Sequence, residues 1–172
     1  STSLRVKDRE RRSDGFHDLA SLFHAISLGD RLEIMAVDAE EDSLVANTPD
    51  VPTDGTNLVI RAFELYREKT GASQHFAANL TKVVPTGAGL GGGSANGATA
   101  LWAANEICGR LASEQDLLEW SAEIGSDCPF FFSEGAAYVT GRGDLVEDVH
   151  LRTVRCGVAW RGVCGVVWCG VV

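Results

Sequence analysis

The chain has 172 residues, of which 45% are hydrophobic and 23% are charged. This length and balance are typical of one globular domain and exclude a disordered or fibrous protein. The formal net charge of −9 argues against binding to nucleic acid or an anionic membrane, so a phosphate ligand would have to be held by local backbone geometry.

The first half of the chain predicts one strand and one helix. Residues 30–37, DRLEIMAV, alternate apolar residues with more mixed neighbours, which is the period of a half-buried strand. Residues 57–71 predict a helix, because apolar residues recur at helical spacing and Gly71 is suited to end it. The expected apolar face consists of Leu58, Ala62, Leu65 and Tyr66.

The middle of the chain predicts a strand followed by a helix. Residues 75–85, HFAANLTKVVP, are typical of a strand through Phe76, Ala78 and Leu80. Residues 94–107, SANGATALWAANEI, have the composition of a helix. The glycine-rich segment between them is therefore a loop that leads from a strand into a helix.

The last predicted elements are a helix and a hairpin. Residues 113–125 predict a helix with Ser113 as N-cap, Asp116 at N3 and Gly125 directly after the last turn. The tripeptide at 142–144, RGD, is best explained as the turn of a hairpin between AAYVT and LVEDV. The order of elements indicates an α+β or α/β domain.

The segment at residues 85–96, PTGAGLGGGSAN, predicts a phosphate-binding loop. Glycine reaches positive φ without steric penalty and lets backbone N–H groups point at a ligand. Where such a loop enters a helix, the unpaired N–H groups of the first turn and the positive end of the helix dipole converge on one place.

Other glycine-rich loops fit this segment less well. A Walker A loop would need lysine immediately before Ser94, where Gly93 stands. The pattern G-x-G-x-x-G occurs as Gly87, Gly89 and Gly92, but the next predicted element is a helix and not the second strand of a dinucleotide-binding unit. A protein-kinase loop would need V-A-I-K and H-R-D segments, and a flexible linker is disfavoured by the strand and helix on its two sides.

The loop sequence resembles the phosphate-binding motif of the GHMP kinases. Three further blocks, at residues 14–30, 57–62 and 123–143, are similar to the branch of that family that acts on 4-diphosphocytidyl-2-C-methyl-D-erythritol, in its plant and algal form. The resemblance covers residues 14–148 in unbroken order. It implies an α+β fold, the GHMP kinase N-terminal domain of the ribosomal protein S5 domain 2-like type, with a two-layer arrangement of sheet and helices.

The resemblance also implies a reaction and its site. The reaction is phosphorylation of the 2-hydroxyl of 4-diphosphocytidyl-2-C-methyl-D-erythritol by ATP with Mg²⁺, in the non-mevalonate route to isoprenoids. Asp127 would be the catalytic base, and the Ser94 hydroxyl would lie near a phosphate or its magnesium ion. The implied ATP-binding residues are Pro85, Thr86, Gly87, Ala88, Gly89, Leu90, Gly91, Gly92, Gly93, Ser94, Ala95 and Asn96.

Two of these assignments have structural alternatives. Asp127 precedes Cys128-Pro129 and would serve equally as the N-cap of a helix that starts with proline. In the family, Phe16 and His17 would stack on and hydrogen-bond to the cytosine ring. Without the resemblance, that pair would indicate a turn with a buried ring. The full implied substrate-binding segment is Asp14, Gly15, Phe16 and His17.

The sequence departs from the family pattern at several places. The lysine of the family's first strand, P-x-K-I-N, would fall at or before Ser1, and Lys7 is not placed to replace it. Position 95 is alanine where the family usually has serine. We expect residues 1–150 to form the N-terminal ATP-binding domain, incomplete at its start. We expect residues 151–172 to be an atypical tail, and the isolated chain to have impaired activity.

The tail and the cysteines give little functional information. From residue 156 onward the chain is almost entirely Cys, Gly, Val, Ala and Trp, too short for a typical membrane span and more suggestive of a terminus that does not continue the fold. The chain contains five cysteines with no C-x-x-C pair, which supports neither a disulfide scaffold nor a zinc site and indicates a reducing compartment.

Three functional hypotheses remain open at this point. The resemblance favours the small-molecule kinase, located in the plastid stroma, active as a monomer or weak homodimer, and without a nucleic-acid or membrane partner. The alternatives are a nucleotide- or phosphate-binding module without catalysis, and another GHMP kinase with a different small-molecule substrate.

Overall fold

The computed structural model describes residues 19–149 in full, together with the backbone of residues 155–156 and 169–170. The strands are β1 (Leu19–His24), β2 (Arg31–Val37), β3 (Ser43–Ala46), β4 (His75–Thr81), β5 (Ala136–Gly141), β6 (Leu145–Asp148), β7 (Arg155–Cys156) and β8 (Cys169–Gly170). The helices are α1 (Leu58–Thr70), α2 (Gly92–Ile107) and α3 (Glu114–Ile124), and a 3₁₀ helix covers Cys128–Phe132.

The six longer strands form two three-stranded sheets. The first sheet has the order β1-β5-β6 with antiparallel pairs throughout. The second has the order β2-β4-β3, in which β2 is antiparallel and β3 parallel to β4. Strands β7 and β8 form a separate antiparallel pair. Two mostly antiparallel sheets combined with three helices confirm the predicted α+β class.

The main hydrophobic core lies between the second sheet and the helices. Its largest fully buried side chains include Tyr66 and Phe63 of α1, Phe76 of β4, Leu101 of α2 and Leu117 of α3. The rings of Phe63 and Phe76 are 4.7 Å apart between centroids, which ties α1 directly to β4. Because β4 and α1 are fixed to each other, the loop that leaves β4 starts from a rigid position.

A smaller core joins the first sheet to the 3₁₀ helix. It is built around Phe130 with Ala137 and Val139 of β5, and Phe23 of β1 packs edge-on against Phe130 at 5.4 Å between ring centroids. This contact holds the β5–β6 hairpin against the segment that begins at Asp127.

The helix ends follow the sequence closely. The Asn57 side chain caps α1 by accepting a hydrogen bond from the Val59 amide at 2.9 Å, and Gly71 ends the helix with φ of 73°. Ser113 and Asp116 form the predicted capping box at the start of α3. These caps leave few alternatives for where the helices start and stop.

Three details differ from the sequence-based expectations. Helix α2 starts at Gly92, two residues earlier than predicted, because the glycines continue the helix. Gly125 follows α3 but is extended, with φ of −170°, so it is not a left-handed cap. Leu58 and Leu65 of the expected apolar face of α1 are only partly buried, since Val59 and Phe63 point into the core.

Candidate active site

The glycine loop adopts a conformation that requires its glycines. Gly87, Gly89 and Gly91 all have φ near +70°, the left-handed region that side chains with a Cβ rarely enter. Alternate left-handed residues turn the backbone repeatedly between Pro85 and the start of α2. The loop is therefore a folded segment between strand and helix, as predicted, with its amides brought close together.

The N-terminus of α2 has no side-chain cap. Gly91 occupies the N-cap position and makes no side-chain hydrogen bond, while its carbonyl accepts from the Ala95 amide at 2.8 Å. The amides of the first turn, at residues 92–94, have no carbonyl partner within the helix. With the positive end of the dipole of a 16-residue helix behind them, these amides form a site suited to an anion.

A pocket of about 310 Å³ opens beside the loop. The glycine loop forms one side, and the approach to α1 at residues 50–52 and 56–58 forms the other. The predicted ATP-binding residues that line it are Pro85, Thr86, Gly87, Ala88, Gly89, Leu90, Gly91, Gly92, Gly93, Ser94 and Asn96. Of the twelve predicted residues, Ala95 alone is not among its lining residues.

Asp30, the residue before β2, holds the start of the glycine loop in place through hydrogen bonds. Its carboxylate accepts hydrogen bonds from the amides of Val83 and Val84 at 2.7 and 2.8 Å. It also accepts from Lys82 Nζ at 2.6 Å and from Asn96 Nδ2 at 2.9 Å. One carboxylate therefore joins the segment that enters the loop to the first turns of the helix that leaves it.

The hydrogen bonds to Asp30 also keep its carboxylate ionised by lowering its pKa. Burial of its side chain, which is 1% exposed, raises the pKa, but the hydrogen bonds from Lys82, Val83, Val84 and Asn96 outweigh burial and lower the pKa to about 2. Of the described residues that line the pocket, Lys82 is the one basic side chain. Since Asp30 neutralises Lys82, the positive character of the pocket comes mainly from backbone amides.

Gly92 allows the loop to pack closely on this pair. A Cβ placed at Gly92 would lie 3.0 Å from Lys82 Nζ and 3.1 Å from Val84 Cγ1. Such distances are tighter than ordinary contact, so a side chain at position 92 would push α2 away from Lys82 or displace the ion pair.

Asp127 stands at the start of the 3₁₀ helix, directly before the buried Cys128-Pro129. It occupies the N-cap position, but its side chain makes no cap hydrogen bond. Although the residue is exposed, neighbouring protein atoms keep water partly away from its carboxylate, and this desolvation raises its pKa. Asp127 therefore stands at the N-cap position that the sequence allowed, but its side chain does not cap the helix by a hydrogen bond.

The 3₁₀ helix brings Asp127 to the glycine loop through two contacts. The thiol of Cys128, fully buried, hydrogen-bonds with the Ser94 hydroxyl in the first turn of α2. A Cβ at Gly91 would lie 3.2 Å from Cζ of Phe131. Burial raises the pKa of the Cys128 thiol to about 11, so the residue is a neutral packing group and not a nucleophile.

The structure therefore brings Ser94, the loop and the neighbourhood of Asp127 together. The predicted substrate segment, Asp14, Gly15, Phe16 and His17, lies outside the described residues, as does Lys7. Within residues 19–149 and the two short strands, no group of three or more His, Cys, Asp and Glu side chains is arranged to hold a metal ion. No helix in this part of the chain combines the length and apolar character that a membrane span needs.

Sequence reasoning missed Asp30 and Lys82. The signal was present in the pairing of two predicted strands: Arg31 of β2 lies opposite Thr81 of β4, so the same register carried one step further sets Asp30 opposite Lys82. An acidic residue before one strand and a lysine after its partner, three residues ahead of a glycine loop, are the pattern that would have identified the pair.

Comparison with known proteins agrees with this geometry. The family profile described as GHMP kinases N terminal domain matches residues 57–135. The 4-diphosphocytidyl-2-C-methyl-D-erythritol kinase, chloroplastic, of Mentha piperita is 61% identical over 140 residues, which are 81% of this chain and 35% of that protein. The 4-diphosphocytidyl-2-C-methyl-D-erythritol kinase of Protochlamydia amoebophila is 47% identical over 148 residues, 86% of this chain and 51% of that protein.

A solved structure gives the same result. The crystal structure of 4-(cytidine 5'-diphospho)-2C-methyl-D-erythritol kinase superimposes with a TM-score of 0.66 at 34% identity, covering 87% of this chain and 51% of that one. The chain thus spans between 35% and 51% of the length of these relatives.

Proposed function

The chain belongs to the GHMP kinases, whose N-terminal domain it contains, and we propose that it takes part in transferring the γ-phosphoryl group of ATP to 4-diphosphocytidyl-2-C-methyl-D-erythritol. The observation that carries the proposal is the uncapped N-terminus of α2, which faces a pocket beside the glycine loop while Asp127 adjoins the same helix through Cys128. The names of the relatives supply the substrate.

The phosphates of ATP would be held by the loop at residues 85–96. This is supported by the left-handed glycines and by the amides of the first turn of α2, which have no carbonyl partner within the helix. The segments at 50–52 and 56–58 add apolar and amide groups on the far side of the pocket, which suits the nucleoside end of ATP.

A magnesium ion bound with ATP would neutralise charge on the transferring phosphoryl group. Within the described residues no cluster of acidic side chains offers a separate metal site, so the ion would be held mainly through the phosphates. Ser94 is the residue of the loop that is suited to add a hydroxyl ligand, although its hydroxyl also bonds to the Cys128 thiol.

Asp127 would accept the proton of the attacking 2-hydroxyl. A base needs a carboxylate that is ionised yet not saturated with hydrogen bonds, and a raised pKa makes the carboxylate a better proton acceptor. In phosphoryl transfer the protein contributes mainly alignment and charge stabilisation, which fits a site with few reactive groups.

The remaining assignments rest on family resemblance. Asp14, Gly15, Phe16 and His17 would contact the cytidyl group, residues 1–150 would form this domain, and residues 151–172 would not continue it. Plastid location is proposed because three plant relatives, 60–61% identical to this chain, are chloroplastic proteins.

The test is transfer of label from γ-³²P-ATP to 4-diphosphocytidyl-2-C-methyl-D-erythritol by the chain, together with thermal stabilisation by MgATP. Gly92→Ala should raise the MgATP concentration needed for half-maximal thermal stabilisation by roughly tenfold or more, because its Cβ would lie 3.0 Å from Lys82 Nζ. Gly55→Ala is the matched control, since a Cβ there meets one atom at 4.0 Å.

The alternatives give distinct outcomes. Stabilisation by MgATP without labelled product, unchanged by Asp127→Asn and by addition of the cytidyl compound, would identify a binding module without catalysis. Label transferred to a different alcohol in a substrate panel would identify another GHMP activity. Equal behaviour of the two glycine variants would count against the loop as the phosphate site.

A further inference from the structure

The β5–β6 turn approaches Asp127 at a single glycine. A Cβ placed at Gly143 would lie 3.0 Å from Asp127 Oδ1, 3.5 Å from the carbonyl oxygen of Ser126 and 3.7 Å from Leu19 Cδ2. Gly143 has φ of +108°, which also favours glycine. The bare backbone of the turn therefore lies close against the carboxylate.

The turn that carries Gly143 is well fixed. The Gly143 amide donates to the Thr140 carbonyl at 3.2 Å. Asp144 accepts from the Arg142 amide at 2.9 Å and from Arg142 Nε at 3.2 Å. The hairpin itself is held to the 3₁₀ helix by the small core around Phe130 and Val139, so the turn and Asp127 keep their relative position.

Asp127, by contrast, has no fixing bond among the residues that the structure describes. Within residues 19–149, no donor lies within hydrogen-bond distance of its carboxylate, and its N-cap position makes no side-chain bond. Among residues 19–149, contact with neighbouring atoms is then the interaction that limits where the carboxylate lies. On the hairpin side, position 143 is one such neighbour.

We propose that Gly143 is a positioning residue, whose lack of a side chain leaves the Asp127 carboxylate its place against the β5–β6 turn. This inference rests on the proposed function in so far as Asp127 is the base. A methyl group at position 143 would force the carboxylate to move away from the turn by a few tenths of an ångström, and misplacement of a reacting group lowers rates by up to ~100-fold per ångström.

The test compares Gly143→Ala with Gly109→Ala in the full chain. Gly109 has φ of +84° and nothing within 4 Å of its Cβ, so it has similar backbone strain without the contact. The first readout is the ¹³C resonance of the Asp127 carboxyl group, assigned by its loss in Asp127→Asn. The second is the split between kcat and KM for ATP.

We expect Gly143→Ala to shift the Asp127 resonance and to lower kcat several-fold, up to roughly tenfold, with KM for ATP changed less than about twofold. Gly109→Ala should leave both unchanged. If Gly143→Ala does not fold, Asp144→Ala, which removes the bonds to Arg142 without adding atoms, should shift the same resonance by a smaller amount.

An Asp127 resonance that stays in place in the folded variants would overturn the inference. So would a kcat that falls equally in Gly143→Ala and Gly109→Ala. Absence of both labelled product and stabilisation by MgATP from the unaltered chain would instead count against the proposed function, and the resonance would still decide the role of Gly143.

Discussion

Two aspartates flank the candidate site, and their surroundings are opposite. Asp30 is buried and accepts four hydrogen bonds, which lower its pKa to about 2. Asp127 is exposed at the edge of the site, makes no hydrogen bond within the described residues, and has a raised pKa because of desolvation. The number of hydrogen-bond donors around the same side chain thus holds its pKa low in one place and leaves it raised in the other.

The difference predicts different roles for the two aspartates. A carboxylate saturated with donors cannot accept a further proton without losing bonds, so Asp30 serves to fix Lys82, Asn96 and the start of the loop. A carboxylate without donors is poorly stabilised but free to accept a proton. Stability effects should therefore concentrate at Asp30 and rate effects at Asp127.

The largest effect is expected on removing the proposed base, Asp127. Asp127→Asn should lower kcat by roughly 10²- to 10⁴-fold, the usual range for loss of a general base, because an amide cannot accept the hydroxyl proton. Steady-state kinetics with MgATP and the cytidyl substrate measure the loss. The thermal unfolding temperature of the variant should be no lower than that of the unaltered chain. A variant that retains activity but melts early would assign Asp127 to the structure instead.

The second effect is on stability and concerns the buried ion pair. Lys82→Met should destabilise the fold by roughly 3 kcal/mol, because it leaves the Asp30 carboxylate buried without its cation. The double variant Asp30→Asn with Lys82→Met should recover part of the loss. Chemical denaturation measures both.

The matched control for this pair is an exposed ion pair at the C-terminal end of α2. Arg110→Met removes an ion pair with Glu106 in which the arginine side chain is 74% exposed, so it should change stability little. Equal losses in Lys82→Met and Arg110→Met would show that burial of the Asp30 pair does not matter.

The two aspartates also predict opposite dependence on pH. Since the pKa of Asp30 is about 2 in the fold and about 3.8 otherwise, its stabilisation is present above pH ~4 and is lost between about pH 4 and pH 2. One pKa unit corresponds to about 1.4 kcal/mol, which gives at most about 2.5 kcal/mol. Asp30→Asn should flatten the acid side of the stability curve by that amount.

The contribution of Asp127 to stability should change with pH in the opposite direction. Its raised pKa means that the folded state binds the proton more tightly than the unfolded state, so this residue favours the fold as pH falls. The difference in unfolding free energy between the unaltered chain and each variant, measured through the acid range, isolates the two residues from the other carboxylates. Slopes of the same sign for both variants would contradict the comparison.

Most elements of the fold could be predicted from the sequence because they carry local signals. Helices α1 and α3 have caps and apolar periodicity, and β4 alternates Phe76, Ala78 and Leu80 towards the core. Strands β1 and β3 were not predicted. β3 has four residues, and β1 owes its conformation to pairing with β5, more than 100 residues later.

The site was predictable only in part for the same reason. The loop and Asp127 stand in local patterns, a run of glycines and an acid before Cys-Pro, and family resemblance assigned their roles. Asp30 and Lys82 are 52 residues apart, and their partnership depends on the register of β2 against β4. The contact of Gly143 with Asp127 depends on how the first sheet packs on the 3₁₀ helix, which no local pattern specifies.

The smallest expected effect concerns the contact between the loop side and the Asp127 side. Cys128→Val keeps a buried apolar group of similar size but removes the hydrogen bond to Ser94, so it should destabilise the fold by under about 1 kcal/mol. Ser94→Ala should cost about the same, and the double variant no more than either, because both remove one bond. Denaturation of the four proteins measures this coupling. If Ser94→Ala weakens stabilisation by MgATP while Cys128→Val does not, the hydroxyl acts on the nucleotide and its bond to Cys128 is secondary.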